Sequence, residues 1–219
     1  GYNNKYVAAK CWAALFADFD LDGWKDLYVT NGSRRDINNI DYFNKMDESG
    51  LFSEGLDKTE MLKQVINMPS KSLTNYIFRN NGDLTFTRYN KQWNMTETSY
   101  SNGVAYADLD NDGDLELIVN NIDEEALIYK NNAVEKESGH YLKVAFEGTN
   151  ANKMGIGSVV YIWAGGKIQM TELTLTRGYE SSMEPILYFG LGNDEIIDSL
   201  RVIWSDGRIQ DLQKINANQ

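Results

Sequence analysis

The sequence of 219 residues predicts a mainly β chain in two parts. Two strand–loop–strand repeats of propeller type, carrying a helical insertion, come first, and a compact all-β domain follows. Three observations lead there. Two acidic nonapeptides, Asp18-Phe19-Asp20-Leu21-Asp22-Gly23-Trp24-Lys25-Asp26 and Asp108-Leu109-Asp110-Asn111-Asp112-Gly113-Asp114-Leu115-Glu116, both read D-x-D-x-D-G-x-x-[DE] and lie 90 residues apart. Short apolar, β-branched and aromatic runs flank both, as buried strands do. From about Lys136 the acidic loops stop, and strand patterns separated by Gly165-Gly166 and Asp206-Gly207 turns take over.

The acidic loops carry the chemistry. Carboxylates at alternate positions converge only if the chain turns sharply, and the glycine at position six permits that turn. The clustered charges repel unless a cation sits among them, and Ca²⁺, which takes six to eight oxygen ligands in a flexible shell, suits them. The EF-hand shares the opening but needs a bidentate Glu at position twelve between helices. Here position twelve is Val29 or Val119 and the flanks are strands. The expected ligands are the side chains at positions one, three, five and nine: Asp18, Asp20, Asp22 and Asp26 in the first loop, Asp108, Asp110, Asp112 and Glu116 in the second. The backbone carbonyls of Trp24 and Asp114, at position seven, complete the two sets. Asp-Gly clusters also form metal-free hairpin turns; the doubled position-nine acid and the doubled flanks favour two structural Ca²⁺ sites.

The repetition extends beyond the loops. Ala14-Leu15-Phe16-Ala17-Asp18 aligns with Val104-Ala105-Tyr106-Ala107-Asp108, and Tyr76-Ile77-Phe78-Arg79-Asn80-Asn81 with Leu127-Ile128-Tyr129-Lys130-Asn131-Asn132. Short repeated strands point to a propeller or related β-array. Asn81-Gly82-Asp83 reads as a hairpin between Tyr76–Asn80 and Leu84–Tyr89. Between about Ser33 and Asn75 the pattern turns helical. A capping box at Asp57-Lys58-Thr59-Glu60 precedes Met61–Ile66, and Pro69 stops that helix. Residues 1–133 therefore form the repeat region, with the insertion at about 33–75. The polar run after Val134 is a linker, and 138–219 is the second domain, with strands expected at Tyr141–Glu147, Ser158–Trp163, Lys167–Leu175, Ile186–Phe189, Ser199–Trp204 and Arg208–Leu212.

Composition narrows the function. A formal charge of −11 argues against nucleic acid as a partner, and two divalent ions would lift it to −7. No run of eighteen apolar residues exists to span a membrane. The single cysteine, Cys11, rules out an internal disulfide framework, and its apolar strand suggests a buried thiol. His140 is the sole histidine, so a Ser-His-Asp triad would have to use it, and no G-x-S-x-G elbow appears. The best acids for a glycosidase pair are assigned to the metal loops. The chain reads as non-catalytic. Trp93, Tyr100 and Tyr179 fall near loops, where they suit recognition; Trp12, Trp163 and Trp204 fall within strand patterns, as core residues do.

On these residues the chain resembles a pair of known modules. D-x-D-x-D-G-x-x-[DE] followed by Leu27-Tyr28-Val29-Thr30-Asn31, and then Phe78-Arg79-Asn80-Asn81-Gly82-Asp83, resembles FG-GAP/VCBS repeats, the blades of calcium-decorated propellers. Gly155-Ile156-Gly157, Gly178-Tyr179, Tyr188-Phe189-Gly190-Leu191-Gly192 and Val202-Ile203-Trp204-Ser205-Asp206-Gly207 resemble the ASPIC/UnbV domain of cartilage acidic protein and its relatives. The Asn67-Met68-Pro69-Ser70 segment is similar to large exported envelope proteins of Bacteroidetes-type bacteria. The resemblance implies an extracellular or outer-surface calcium-binding module for protein or glycan recognition or adhesion. Alternatives are a purely structural scaffold of a larger exported protein, and an accessory part of a carbohydrate-active enzyme. A propeller has four or more blades, so two repeats imply a piece of a longer chain, with its export signal and further blades elsewhere, or another way of stacking. Open blade edges would invite pairing with a second copy.

Overall fold

The computed structural model describes residues 11–32, 34–35, 42, 44, 58–70, 72–149 and 151–219. The first repeat is a four-stranded antiparallel sheet in the order β1-β2-β4-β5, from β1 (Cys11–Ala17), β2 (Asp26–Asn31), β4 (Tyr76–Asn80) and β5 (Phe86–Arg88). The second is a three-stranded sheet of β7 (Ser101–Ala107), β8 (Glu116–Asn121) and β9 (Leu127–Tyr129). A short ladder of β3 (Leu73–Thr74) and β6 (Thr98–Ser99) bridges them.

The two repeats share a register. Ala14 faces Val29 and Ala17 faces Asp26; ninety residues on, Val104 faces Val119 and Ala107 faces Glu116. Even the irregularity repeats, between Cys11 and Ala14 and between Ser101 and Val104. Alternation sends Ala13, Leu15, Ala17 and Tyr28 inward to meet Val104, Leu117 and Val119 in one core shared by both repeats.

Part of the expected insertion lies outside the described residues. Within it, α1 (Lys58–Asn67) forms and ends before Pro69, which cannot continue a helix. Between the sheets, buried amides link the repeats. Asn31 N–H donates to Asn75 Oδ1 at 2.8 Å, Asn75 Nδ2 to Ser101 Oγ at 2.7 Å, and Ser101 Oγ to Asn121 Oδ1 at 2.6 Å.

The second half folds as two facing sheets. One pairs β10 (His140–Ala145) with β13 (Ile186–Gly192). The other has the order β12-β11-β14-β15, from β11 (Val159–Ala164), β12 (Lys167–Glu172), β14 (Ile196–Ile203) and β15 (Ile209–Asn216). Val160, Ile162, Leu187, Phe189, Leu200 and Val202 fill the space between them. Gly165-Gly166 makes the tight β11–β12 hairpin, with Ala164 paired to Lys167.

Two expectations, on the tryptophans and on Cys11, are corrected. Among the described residues the two repeats close no propeller: β1 and β7 pack side by side, and residues 178–183 of the second half run over both. There Ser181 Oγ accepts from Val104 N–H at 3.2 Å, and Tyr179 meets Trp12 edge-on at 4.8 Å. Trp12 and Trp163 lie outside the cores, Trp12 half exposed at 48%, because both fall on the outward phase of their strands. Cys11 is exposed, at the first residue of β1, where the alternation is not yet inward.

Candidate metal centre

Each acidic loop is the connection of a β-hairpin, so its fixed strand ends bring positions one and nine together. Position six is left-handed in both, with φ of +90° at Gly23 and +106° at Gly113. Position four is left-handed too, at Leu21 (+59°) and Asn111 (+65°), a conformation that strains an ordinary L-residue.

In the first loop, Asp18, Asp20 and Asp22 converge, with carboxylate oxygens within 4.8 Å of one another. Asp18 accepts from the N–H groups of Asp22 and Gly23, and Asp22 Oδ1 from Trp24 N–H. Arg79 sits at the rim, donating to Asp20 Oδ2 and, at 2.7 Å, to Asp22 Oδ2. Asp20 Oδ1 is buried with no donor. In the second loop, two overlapping sets form: Asp108, Asp110 and Glu116, and Asp110, Asp112 and Glu135. Lys130, which matches Arg79 in the repeat, donates to Asp110 at 2.9 Å; Lys143 reaches Asp108 Oδ2 at 2.9 Å, and Asp108 Oδ1 is buried without a donor.

The position-nine acids have a further job. Asp26 accepts from Phe19 N–H at 3.1 Å and from Asn80 N–H at 2.9 Å, one bond per oxygen. Glu116 repeats the pattern with Leu109 N–H at 2.8 Å and Asn131 N–H at 3.2 Å. Each staples its loop to the end of the third strand of its repeat. Asp26 stands outside the converging set of its loop, whereas Glu116 belongs to one. At position seven, the Trp24 ring is 40% exposed beneath Lys167, and the Asp114 side chain is buried, accepting from Val134 N–H at 3.0 Å. Glu135 was missed in the sequence, where it falls in a polar run that reads as linker; three residues after the Asn131-Asn132 pair, the turn of residues 133–137 carries it back to Asp110.

The electrostatics fit a hard cation. Burial, and then repulsion from Asp22, Asp26 and Asp20, pushes the Asp18 carboxyl well above the usual range. Burial likewise raises Asp22, Asp112 and Glu116, and pushes Asp26 and Asp114 each to about 7. Lys130 holds Asp110 below its ordinary value. Carboxylates face one another in both loops, buried or half-buried in the first and with Asp110 and Glu135 exposed in the second. Asp20 Oδ1, Asp108 Oδ1 and Asp114 Oδ1 are buried without a donor, the environment that a divalent ion relieves.

Both loops also rest on the second half. Gly192 N–H donates to Leu21 O at 2.7 Å, and Lys25 Nζ to Thr171 Oγ1 at 2.8 Å. Gly190 leaves no room for a Cβ, which would stand 2.0 Å from Asp18 Oδ2; a Cβ on Gly113 would lie 2.1 Å from the Tyr141 ring.

Comparison with family models places two matches on this frame. Residues 65–119, from α1 through the second acidic loop into β8, match the FG-GAP-like repeat. Residues 148–219 match the model described as ASPIC and UnbV. The chain carries an FG-GAP-like repeat followed by an ASPIC and UnbV domain. No curated protein matches it. The first acidic loop lies outside the FG-GAP-like match, and its kinship with the second rests on the shared register and left-handed positions. The ASPIC and UnbV match begins after β10, which pairs with β13 inside the matched range.

Proposed function

We propose that the chain is a non-catalytic, extracellular recognition module whose two acidic loops bind structural Ca²⁺. One observation carries the metal reading: carboxylates converge in the equivalent loops of two repeats, and each loop leaves an oxygen buried without a donor, Asp20 Oδ1 at position three of the first and Asp108 Oδ1 at position one of the second. Asp18, Asp20 and Asp22 would hold one ion; Asp108, Asp110, Asp112 and Glu116, with Glu135, would hold the other. The position-seven carbonyls of Trp24 and Asp114 complete the sets. The ion supplies positive charge that offsets the burial raising Asp18, Asp22, Asp112 and Glu116. Because both loops lean on the ASPIC and UnbV domain, the ions also brace the contact between the two halves. A site with a dissociation constant of ~0.1 mM in ~1 mM Ca²⁺ contributes about 1.4 kcal/mol. EDTA should therefore lower the melting temperature and Ca²⁺ restore it; an EDTA-insensitive melt contradicts the reading.

Recognition rather than bare scaffolding is supported by the outer face of β11 and β12. Tyr161 and Trp163 lie near-parallel there, 6.2 Å apart, beside Ile168 and Met170, which are 65% and 54% exposed. The Arg201–Asp211 pair continues the row from Tyr161. Flat aromatic surface beside polar groups suits protein or sugar rings. A glycan array together with a cell-surface pull-down separates the readings, since silence in both leaves the scaffold. Among the described residues no helix is long and apolar enough to cross a membrane.

A further inference from the structure

The two repeats differ at one edge. In the first, β5 closes the sheet against β4, pairing Phe78 with Arg88, Arg79 with Thr87 and Asn80 with Phe86. Tyr89 N–H then donates to Ile77 O at 2.9 Å, and Asn81 N–H to Thr85 O at 3.0 Å. In the second, β9 is the last strand of its sheet among the described residues. Ile128 stands where Ile77 stands, and Asn132 N–H turns to its neighbour's Asn131 Oδ1 at 2.8 Å instead of to a strand.

A cleft of about 430 Å³ occupies that place, a volume within the ~300–1,000 Å³ of ligand pockets. Residues 128–132 all line it in succession. Ile128 and Tyr129, the last two residues of β9, point to opposite faces and both line the cleft, as do the three residues after them, so it follows the open edge of the chain there; Phe19, Asp20, Leu115 and Leu117 form its floor toward the first repeat. The turn at residues 92–95, with Trp93 and Met95, forms the opposite wall, and Lys136 and Ser138 stand at one end. Ile128 is 64% exposed.

We propose that this slot takes one extended strand of a partner polypeptide, added to β9 as β5 is added to β4. A strand edge offers N–H and C=O groups in line, which another main chain satisfies and a sugar does not. A second copy of the chain would bring a second charge of −11 to this edge. The matching segment is extended and free of proline, with apolar side chains turned toward Trp93 and Met95. This goes beyond the calcium reading and uses no metal.

The first repeat supplies the probe: a synthetic peptide of residues 84–90, Leu-Thr-Phe-Thr-Arg-Tyr-Asn, and the same peptide N-methylated at alternate residues. Binding is followed by Trp fluorescence and by backbone amide shifts, in Ca²⁺ and in EDTA. The expected result is saturable binding with shifts at residues 127–132, weakened at least tenfold by N-methylation and by Ile128→Glu, a change at an exposed side chain. Equal binding of the methylated peptide overturns strand addition. So does absence of binding by a protein that still takes up Ca²⁺, or a concentration-dependent dimer that the peptide disrupts. Peptide binding by a protein that takes up no Ca²⁺ refutes the metal sites and leaves the slot standing.

Discussion

Asp26 and Glu116 each spend both carboxylate oxygens on two backbone N–H groups, and those bonds tie a loop to a distant strand. Asp26→Ala leaves two buried donors unmet, at ~1–3 kcal/mol each. The expected loss is about 2–5 kcal/mol in urea denaturation, in EDTA as well as in Ca²⁺; a loss confined to Ca²⁺ would make Asp26 a ligand only. Asp26 and Asp114, pushed to about 7 by burial, also set a pH dependence. In the metal-free protein they keep protons that the unfolded chain releases near pH ~4. The folded state then binds more protons across that window, so stability falls as pH rises from about 4 to about 7 and is level above. Melting in EDTA should be higher at pH 5 than at pH 7.5, and Ca²⁺ should reverse the order; a rise with pH in EDTA contradicts it. At this scale the sequence was half legible. Spacing revealed the carboxylates, but which of them turn to the backbone depends on where Asn80 and Asn131 arrive, which no local pattern encodes.

Strands and hairpins were the most legible elements. The strand expected over Tyr76–Asn80 has those ends, and all six expected in the second half form with shifted boundaries, because alternation and turn residues are local signals. Trp163 was misplaced because alternation gives two faces without saying which is inside; Val160 and Ile162 took the core. The contact of the first acidic loop with β13 was invisible, since it joins residues far apart in sequence. It rests on a missing side chain. Gly190→Ala drives a methyl group into Asp18 and Leu21, an overpacking that costs ~1–3 kcal/mol. Denaturation of that variant should show the loss, together with weaker Ca²⁺ uptake at the first loop alone. Unchanged uptake would detach the loop from β13.

Across the whole molecule, two cores meet through the acidic loops, and residues 178–183 cover the innermost strands of both repeats. Repeat counting suggested blades to be found elsewhere; within the structure, residues 178–183 of the second half lie against β1 and β7. Composition could not show that, because the covering segment, Gly178 to Met183, carries no repeat pattern. If ions brace this joint, EDTA should speed proteolysis between residues 130 and 140 and Ca²⁺ should slow it; equal rates would leave the joint independent of metal. Calorimetric titration of Ca²⁺ into metal-free protein decides whether the acidic loops are metal sites. Two ions per chain are expected, falling to one in Asp20→Ala and to one in Asp110→Ala. Absence of uptake by the native chain, or loss of both ions from either variant, would contradict this expectation.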